Sequence, residues 1–109
     1  MNSKKPAASK RANLPRASDY TKQFIKDWQS LSASGRFNMV RLKEAMSLLI
    51  ENDGPLPPEW LDHALNGNWG EHRECHVGGD FLLIYKLVDS GKYSEIVFVR
   101  TGTHSELFS

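Results

Sequence analysis

Four histidines, His63, His72, His76 and His104, stand in the second half of the 109-residue chain, and among them lie one cysteine, Cys75, a carboxylate, Asp80, and a guanidinium, Arg100. Three chemistries can be built from such a set. The first is a zinc site drawn from His63, His72, Cys75 and His76. On a helix, a His-x-x-x-His pair shares one ion, but on an extended strand four residues span about 13 Å. A zinc–nitrogen bond is only about 2 Å. Gly70 to Val77 alternates like a strand, with His72, Glu74 and His76 on one side and Arg73, Cys75 and Val77 on the other. His72 and His76 therefore cannot share a metal, and Cys75 has no Cys-x-x-Cys partner. Neither a metal ligand nor a cofactor is expected, and His72 reads as a half-exposed surface residue.

The second chemistry is nucleophilic attack by Cys75 with His76 as its base. Neighbouring strand residues point to opposite faces, so His76 cannot activate that thiol. Cys75 reads as a small core hydrophobe. The third uses His76, Asp80, Arg100 and His104. If Phe81 to Val88 pairs with Tyr93 to Arg100 across the Asp89 to Lys92 turn, Asp80 lies beside residue 101 and the two ends of the hairpin converge near His76. Imidazoles, a carboxylate and a guanidinium on one rim are the parts needed to cleave RNA without metal. A base deprotonates the 2′-hydroxyl, a cation stabilises the phosphorane oxygens, and an acid protonates the leaving 5′-oxygen. Histidine suits both proton roles, and the arginine fork matches phosphate. The plain alternative is a surface salt bridge between Arg100 and Asp80.

These residues need a scaffold to bring them together. Ser18 is placed to cap a helix carrying Tyr20, Phe24, Ile25, Trp28 and Leu31 on one face and ending near Ser34-Gly35. A second amphipathic helix is expected from Phe37 to Ile50, with Met39, Leu42, Met46 and Leu49 on its apolar side, stopped by Asn52-Asp53-Gly54-Pro55. Asn13 to Ala17 is a candidate edge strand, where Pro15 is tolerated. The remaining half reads as strands at Gly70–Val77, Phe81–Val88 and Tyr93–Arg100, with Gly78-Gly79-Asp80 as a tight turn. Such hairpins pair antiparallel, which predicts a two-layer α+β fold: a helical hairpin on an antiparallel sheet of three to five strands.

Length and composition fit one soluble globular domain, with 39% hydrophobic and 25% charged residues. No apolar run approaches the roughly 20 residues of a membrane span, and the N-terminal basic residues are followed by no apolar segment of the kind a signal peptide carries. A single cysteine agrees with a reducing cytoplasm. The net charge of +1 conceals an asymmetry. Lys4, Lys5, Lys10, Arg11 and Arg16 face no acidic residue in the first 18 positions, which leaves the remainder at about −4. Residues 1–12 read as a flexible basic arm able to meet phosphate, and residues 13–109 as the folded domain, whose charge gives no support to nucleic-acid binding through composition alone.

Four segments together resemble a known family. They are Leu61-Asp62-His63-Ala64-Leu65-Asn66-Gly67-Asn68-Trp69, then Arg73-Glu74-Cys75-His76-Val77, then Asp80-Phe81-Leu82-Leu83-Ile84-Tyr85-Lys86-Leu87, and the closing Arg100-Thr101-Gly102-Thr103-His104-Ser105-Glu106-Leu107-Phe108. With the Met46 to Leu56 stretch, they are similar to the YafQ branch of the RelE toxin superfamily, over roughly Tyr20 to the C-terminus. The resemblance implies a cytoplasmic bacterial type II toxin, an mRNA interferase that cuts message in the A site of the 70S ribosome and is silenced by a cognate antitoxin. It places the catalytic histidines on His63, His76 and His104, the aspartate on Asp80, the arginine on Arg100 and the C-terminal aromatic on Phe108, with Phe81 where the family often has Trp. Either Asp80 or His76 would be the general base. Phe108, Arg73 and Lys86 are the expected substrate contacts. The alternative is a non-catalytic module of the same fold that captures ribosome or antitoxin.

Overall fold

A computed structural model describes residues 14–51, 56–89 and 94–108. The expected basic arm, the Asn52 to Pro55 stop and most of the turn before Ser94 lie outside the described residues. The elements in chain order are β1 (Ala17–Tyr20), α1 (Lys22–Ser34), α2 (Met39–Glu51), a 3-10 turn (Pro58–Trp60), β2 (His63–Ala64), a second 3-10 turn (Gly67–Trp69), β3 (Arg73–Gly78), β4 (Phe81–Asp89), β5 (Ser94–Thr103) and α3 (His104–Phe108). The five strands form one sheet in the order β1-β5-β4-β3-β2. From β2 to β5 the neighbours are antiparallel, as the hairpin reading requires. β1 pairs with β5 in parallel and makes the sheet mixed.

The N-terminal expectations need correcting at two points. The edge strand is Ala17–Tyr20 and does not include Leu14 to Arg16 of the expected Asn13–Ala17, whose Asn13 lies outside the described residues; Ser18 to Tyr20 pair with Ile96 to Phe98. Ser18 is therefore not a helix cap. The cap is Thr21, whose hydroxyl accepts from the Phe24 amide at 2.9 Å and donates to the Val99 carbonyl at 2.7 Å, so one side chain starts α1 and ties it to β5. Tyr20 stays in the strand and stacks on Phe24 and Phe98. Arg16, counted with the basic tail, belongs to the body: its Nη1 donates to Leu49 O at 2.6 Å and its amide to Ile50 O at 2.8 Å, where the C-terminal carbonyls of α2 lack helical partners. At the far end of α1, Gly35 takes the left-handed conformation (φ 69°), which terminates the helix as Ser34-Gly35 predicts. Asn38, one residue inside the expected start at Phe37, accepts from the Arg41 amide at 3.0 Å and opens α2.

The helix pair packs one face of the sheet, as its apolar stripes demand. Phe24, Leu31, Leu42, Ala45 and Leu49 meet Trp60, Cys75, Val77, Leu83, Tyr85, Ile96 and Phe98 in the main core. Every residue from Phe81 to Tyr85 is buried, so β4 is covered on both faces. The second face is closed by a smaller cluster of Leu82, Ile84 and Leu107 with Trp69, Val99 and Phe108 against it. Among the described residues no helix is long and apolar enough to cross a membrane.

Candidate active site

Residues directly opposite one another in a sheet share a face, so the register identifies what the second face presents. One row runs His63, Glu74, Ile84, Arg100 across β2 to β5, and the next runs His76, Leu82, Gly102. Leu82 and Ile84 belong to the second cluster. The two imidazoles of His63 and His76 and the Glu74 carboxylate therefore stand on the face away from the helix pair, on the strands leading to Arg100.

Glu74 gathers the two imidazoles. Its Oε2 lies 3.3 Å from His63 Nε2 and 3.5 Å from His76 Nε2, and the ring centroids are 6.0 Å apart. The carboxylate is almost buried, its side chain 5% exposed, and Oε1 has no hydrogen-bond partner among the described residues. Each contact is an ion pair only when its imidazole is protonated. His63 also places Nδ1 2.7 Å from Leu61 O. Its short strand is held from beneath by Asp62, which accepts from Tyr85 Oη at 2.5 Å and from Arg73 Nε at 3.3 Å. Arg73 is thus engaged with Asp62, and its register partner Tyr85 lies in the main core, so it stands on the opposite face from His76. Lys86 lies 4.0 Å from Glu71.

The ligand-capable atoms of His63, Glu74 and His76 all lie within 4.8 Å of one another. Two imidazole nitrogens and a carboxylate oxygen are a donor set that zinc or copper accepts. This differs from the set weighed on sequence. His72 instead bonds the Gly70 carbonyl and meets the Trp69 ring edge-on, and Cys75 faces the main core. Burial among apolar neighbours, with the Asp62 and Glu74 charges adding to it, pushes the Cys75 thiol up to about 12, which leaves it inert as a nucleophile.

Asp80 and His104 meet at the start of α3. Asp80 Oδ1 accepts the His104 backbone amide at 3.1 Å. Thr103 and Glu106 complete the turn reciprocally, Thr103 N–H donating to Glu106 Oε1 at 2.8 Å and Glu106 N–H to Thr103 Oγ1 at 3.3 Å. This Thr-x-x-Glu capping box is legible in the sequence. Gly102 is required beneath it, since its φ is 155° and a Cβ there would come within 2.8 Å of Glu106 Oε1. The His104 ring lies 4.8 Å from that of Phe108, which packs against Trp69 at 5.9 Å.

Arg100 sits where β5 carries a register shift opposite Ile84 and Tyr85. It does not pair with Asp80. Its Nε and Nη2 donate to the two carboxylate oxygens of Asp27 on α1 at 2.9 and 3.1 Å, and the Thr101 amide donates to the same carboxylate at 3.1 Å. Burial raises the Asp27 pKa, but hydrogen bonds from Arg100, Gln23 and Thr101, with the guanidinium charge, outweigh it and hold the group below its ordinary 3.8. A depressed carboxyl contributes stability that is fully present above the unfolded value and lost as pH falls through the folded one. The difference in melting temperature between the native chain and Asp27→Asn should hence be constant above about pH 5 and shrink steadily below about pH 4, as read by circular dichroism.

Sequence reasoning placed His63, His76, Asp80, Arg100 and His104, and the structure sets them in three groups on one sheet: His63 and His76 on Glu74, Asp80 on the His104 amide, and Arg100 on Asp27. It missed Glu74 and Asp27. Glu74 had a signal, because it shares its strand face with His76 two residues on. Asp27 had none, because its partner is 73 residues away.

An α+β scaffold that sets paired imidazoles on a carboxylate in one sheet and a half-exposed arginine at the edge of β5 has the components of a small acid–base nuclease. The family model for the bacterial toxin of the type II toxin–antitoxin system, YafQ, matches residues 16–109. The mRNA interferase toxin YafQ of Escherichia coli K12 is 42% identical over 95 residues, covering 87% of this chain and 98% of its own. YafQ in the E. coli DinJ–YafQ complex superimposes with a TM-score of 0.75 at 42% identity, over 86% of this chain and 99% of that one. A metal-bound toxin from Helicobacter pylori does so with a TM-score of 0.73 at 33% identity, over 85% and 99%. The chain belongs to the YafQ family of type II toxins.

Proposed function

We propose that this chain is a cytoplasmic mRNA interferase, an endoribonuclease that cuts message in the ribosomal A site and is held silent by a cognate antitoxin. The convergence of His63 and His76 on the nearly buried Glu74 carboxylate, in the register row that ends in Arg100, carries this reading. His76 takes the proton from the 2′-hydroxyl, and that oxygen attacks the adjacent phosphorus. Arg100 stabilises the pentavalent phosphate, and His104 protonates the 5′-oxygen as its bond to phosphorus breaks. Asp80, occupied by the His104 amide, orders α3 and so aims the acid. Glu74 and His63 hold the His76 ring, and Phe108 offers a face to a base.

Each proton transfer contributes about 10²- to 10⁴-fold and the charge clamp about 10²- to 10³-fold. Holding the reacting atoms in line can supply about 7–11 kcal/mol more. A domain this small, with an acidic body, offers little surface to grip a flexible message, so dependence on the ribosome follows. A metal ion seated on His63, Glu74 and His76 would take one ring nitrogen of His76 and draw electron density from the imidazole, weakening it as a base. Added zinc is therefore expected to oppose cleavage. The test is to incubate translating ribosomes with the purified chain and map message 5′ ends. Cuts within A-site codons are expected, while intact message on stalled ribosomes would leave only the binding module.

A further inference from the structure

We infer that Asp27 is a positioning residue for Arg100, setting the guanidinium in the orientation from which it meets the scissile phosphate. This rests on the assignment of Arg100 to the phosphate made above. β1 covers the edge of β5 only over Glu95 to Phe98. Beyond it, α1 supplies the missing partners: Thr21 Oγ1 donates to Val99 O, and two turns along the helix Asp27 accepts the Thr101 amide. That amide bond pins the carboxylate to the strand that carries Arg100. The carboxylate then takes Nε and Nη2 of the guanidinium at 2.9 and 3.1 Å. A two-point contact of this kind fixes the plane of the fork as well as its place.

Two features separate this pair from an ordinary surface salt bridge. The Asp27 side chain is only 9% exposed, so the guanidinium cannot swing away without stranding a charge, and Arg100 remains 26% exposed, with a cleft beside it lined by Ser30, Leu31 and Glu106. Asp27 uses one edge of the fork, and among the described residues nothing takes Nη1, which is left for a ligand. Arginine side chains are otherwise mobile, and a displacement of about 1 Å at a reacting centre can cost about 10²-fold.

Asp27→Ala, Asp27→Glu, Arg100→Ala and the Asp27→Ala/Arg100→Ala double variant should be compared on translating ribosomes, each checked by its melting curve. Asp27→Ala is expected to lower kcat about 10- to 10²-fold with KM within about twofold, and Asp27→Glu to recover part of the loss. In the Arg100→Ala background the same change should cost nothing further, which a purely structural role would not produce. Should Asp27→Ala unfold, Asp27→Asn takes its place, because its amide oxygen still accepts the Thr101 amide. An unchanged or raised kcat, or an equal loss in the Arg100→Ala background, overturns the inference. Wild-type cleavage by Arg100→Ala itself would instead overturn the assignment of Arg100 to the phosphate.

Discussion

Arg100→Ala should slow cleavage of ribosome-bound message by about 10²- to 10³-fold, the usual effect of removing a preorganised donor from a developing oxyanion. In cells, growth arrest should be relieved while antitoxin binding persists. The substitution also leaves Asp27 with a desolvated, uncompensated charge, so some loss of stability is expected beside the loss of activity. Arg100→Lys separates the two effects. A lysine keeps a cation beside Asp27 and protects the fold, yet an ammonium cannot engage both carboxylate oxygens and the phosphate as a fork does. Cleavage by the lysine variant should remain at least about tenfold below native, with a melting temperature close to native. Full toxicity in both variants would remove Arg100 from the mechanism.

The second large effect concerns the proton carriers. His76→Ala and His104→Ala should each lower the cleavage rate by about 10²- to 10⁴-fold. Asp80→Asn should not, because an asparagine side-chain oxygen still accepts the His104 amide. This contrast decides between the two bases the sequence leaves open. A carboxylate that took the 2′-proton could not be replaced by a neutral amide, whereas one that only orders α3 can. Single-turnover cleavage of programmed ribosomes by the three variants is the measurement. A loss in Asp80→Asn as deep as in His76→Ala would make Asp80 the base.

Both sets of expectations draw on local pattern and on long-range contact, and the two differ in how far the chain reveals them. The strand Phe81–Val88 is an unbroken apolar run, and the alternation that separates His76 from Cys75 and the apolar stripes of α1 and α2 follow from periods of 2.0 and 3.6 residues, so all are readable without coordinates. Hairpin arithmetic set Asp80 beside residue 101, but Asp89 pairs with Ser94 and the register shifts at Ile84, so Phe81 faces Thr103 and Asp80 meets His104 instead. The same locality explains the errors. Ser18 is an acceptable cap in isolation, but β5 claims Ser18 to Tyr20 as a parallel strand, and Thr21 starts the helix instead.

From its sequence alone the chain determined its α+β class, the antiparallel body of its sheet, the burial and inertness of Cys75, and the candidate residues His63, His76, Asp80, Arg100 and His104. Only the tertiary structure decided the partners of those residues: Glu74 between His63 and His76, Asp27 rather than Asp80 on Arg100, and Arg73 on Asp62 away from the site. The reason is that periodicity sets which face of an element a side chain occupies. Which distant charge faces it depends on strand order and helix placement, and these are fixed by burying the whole core at once.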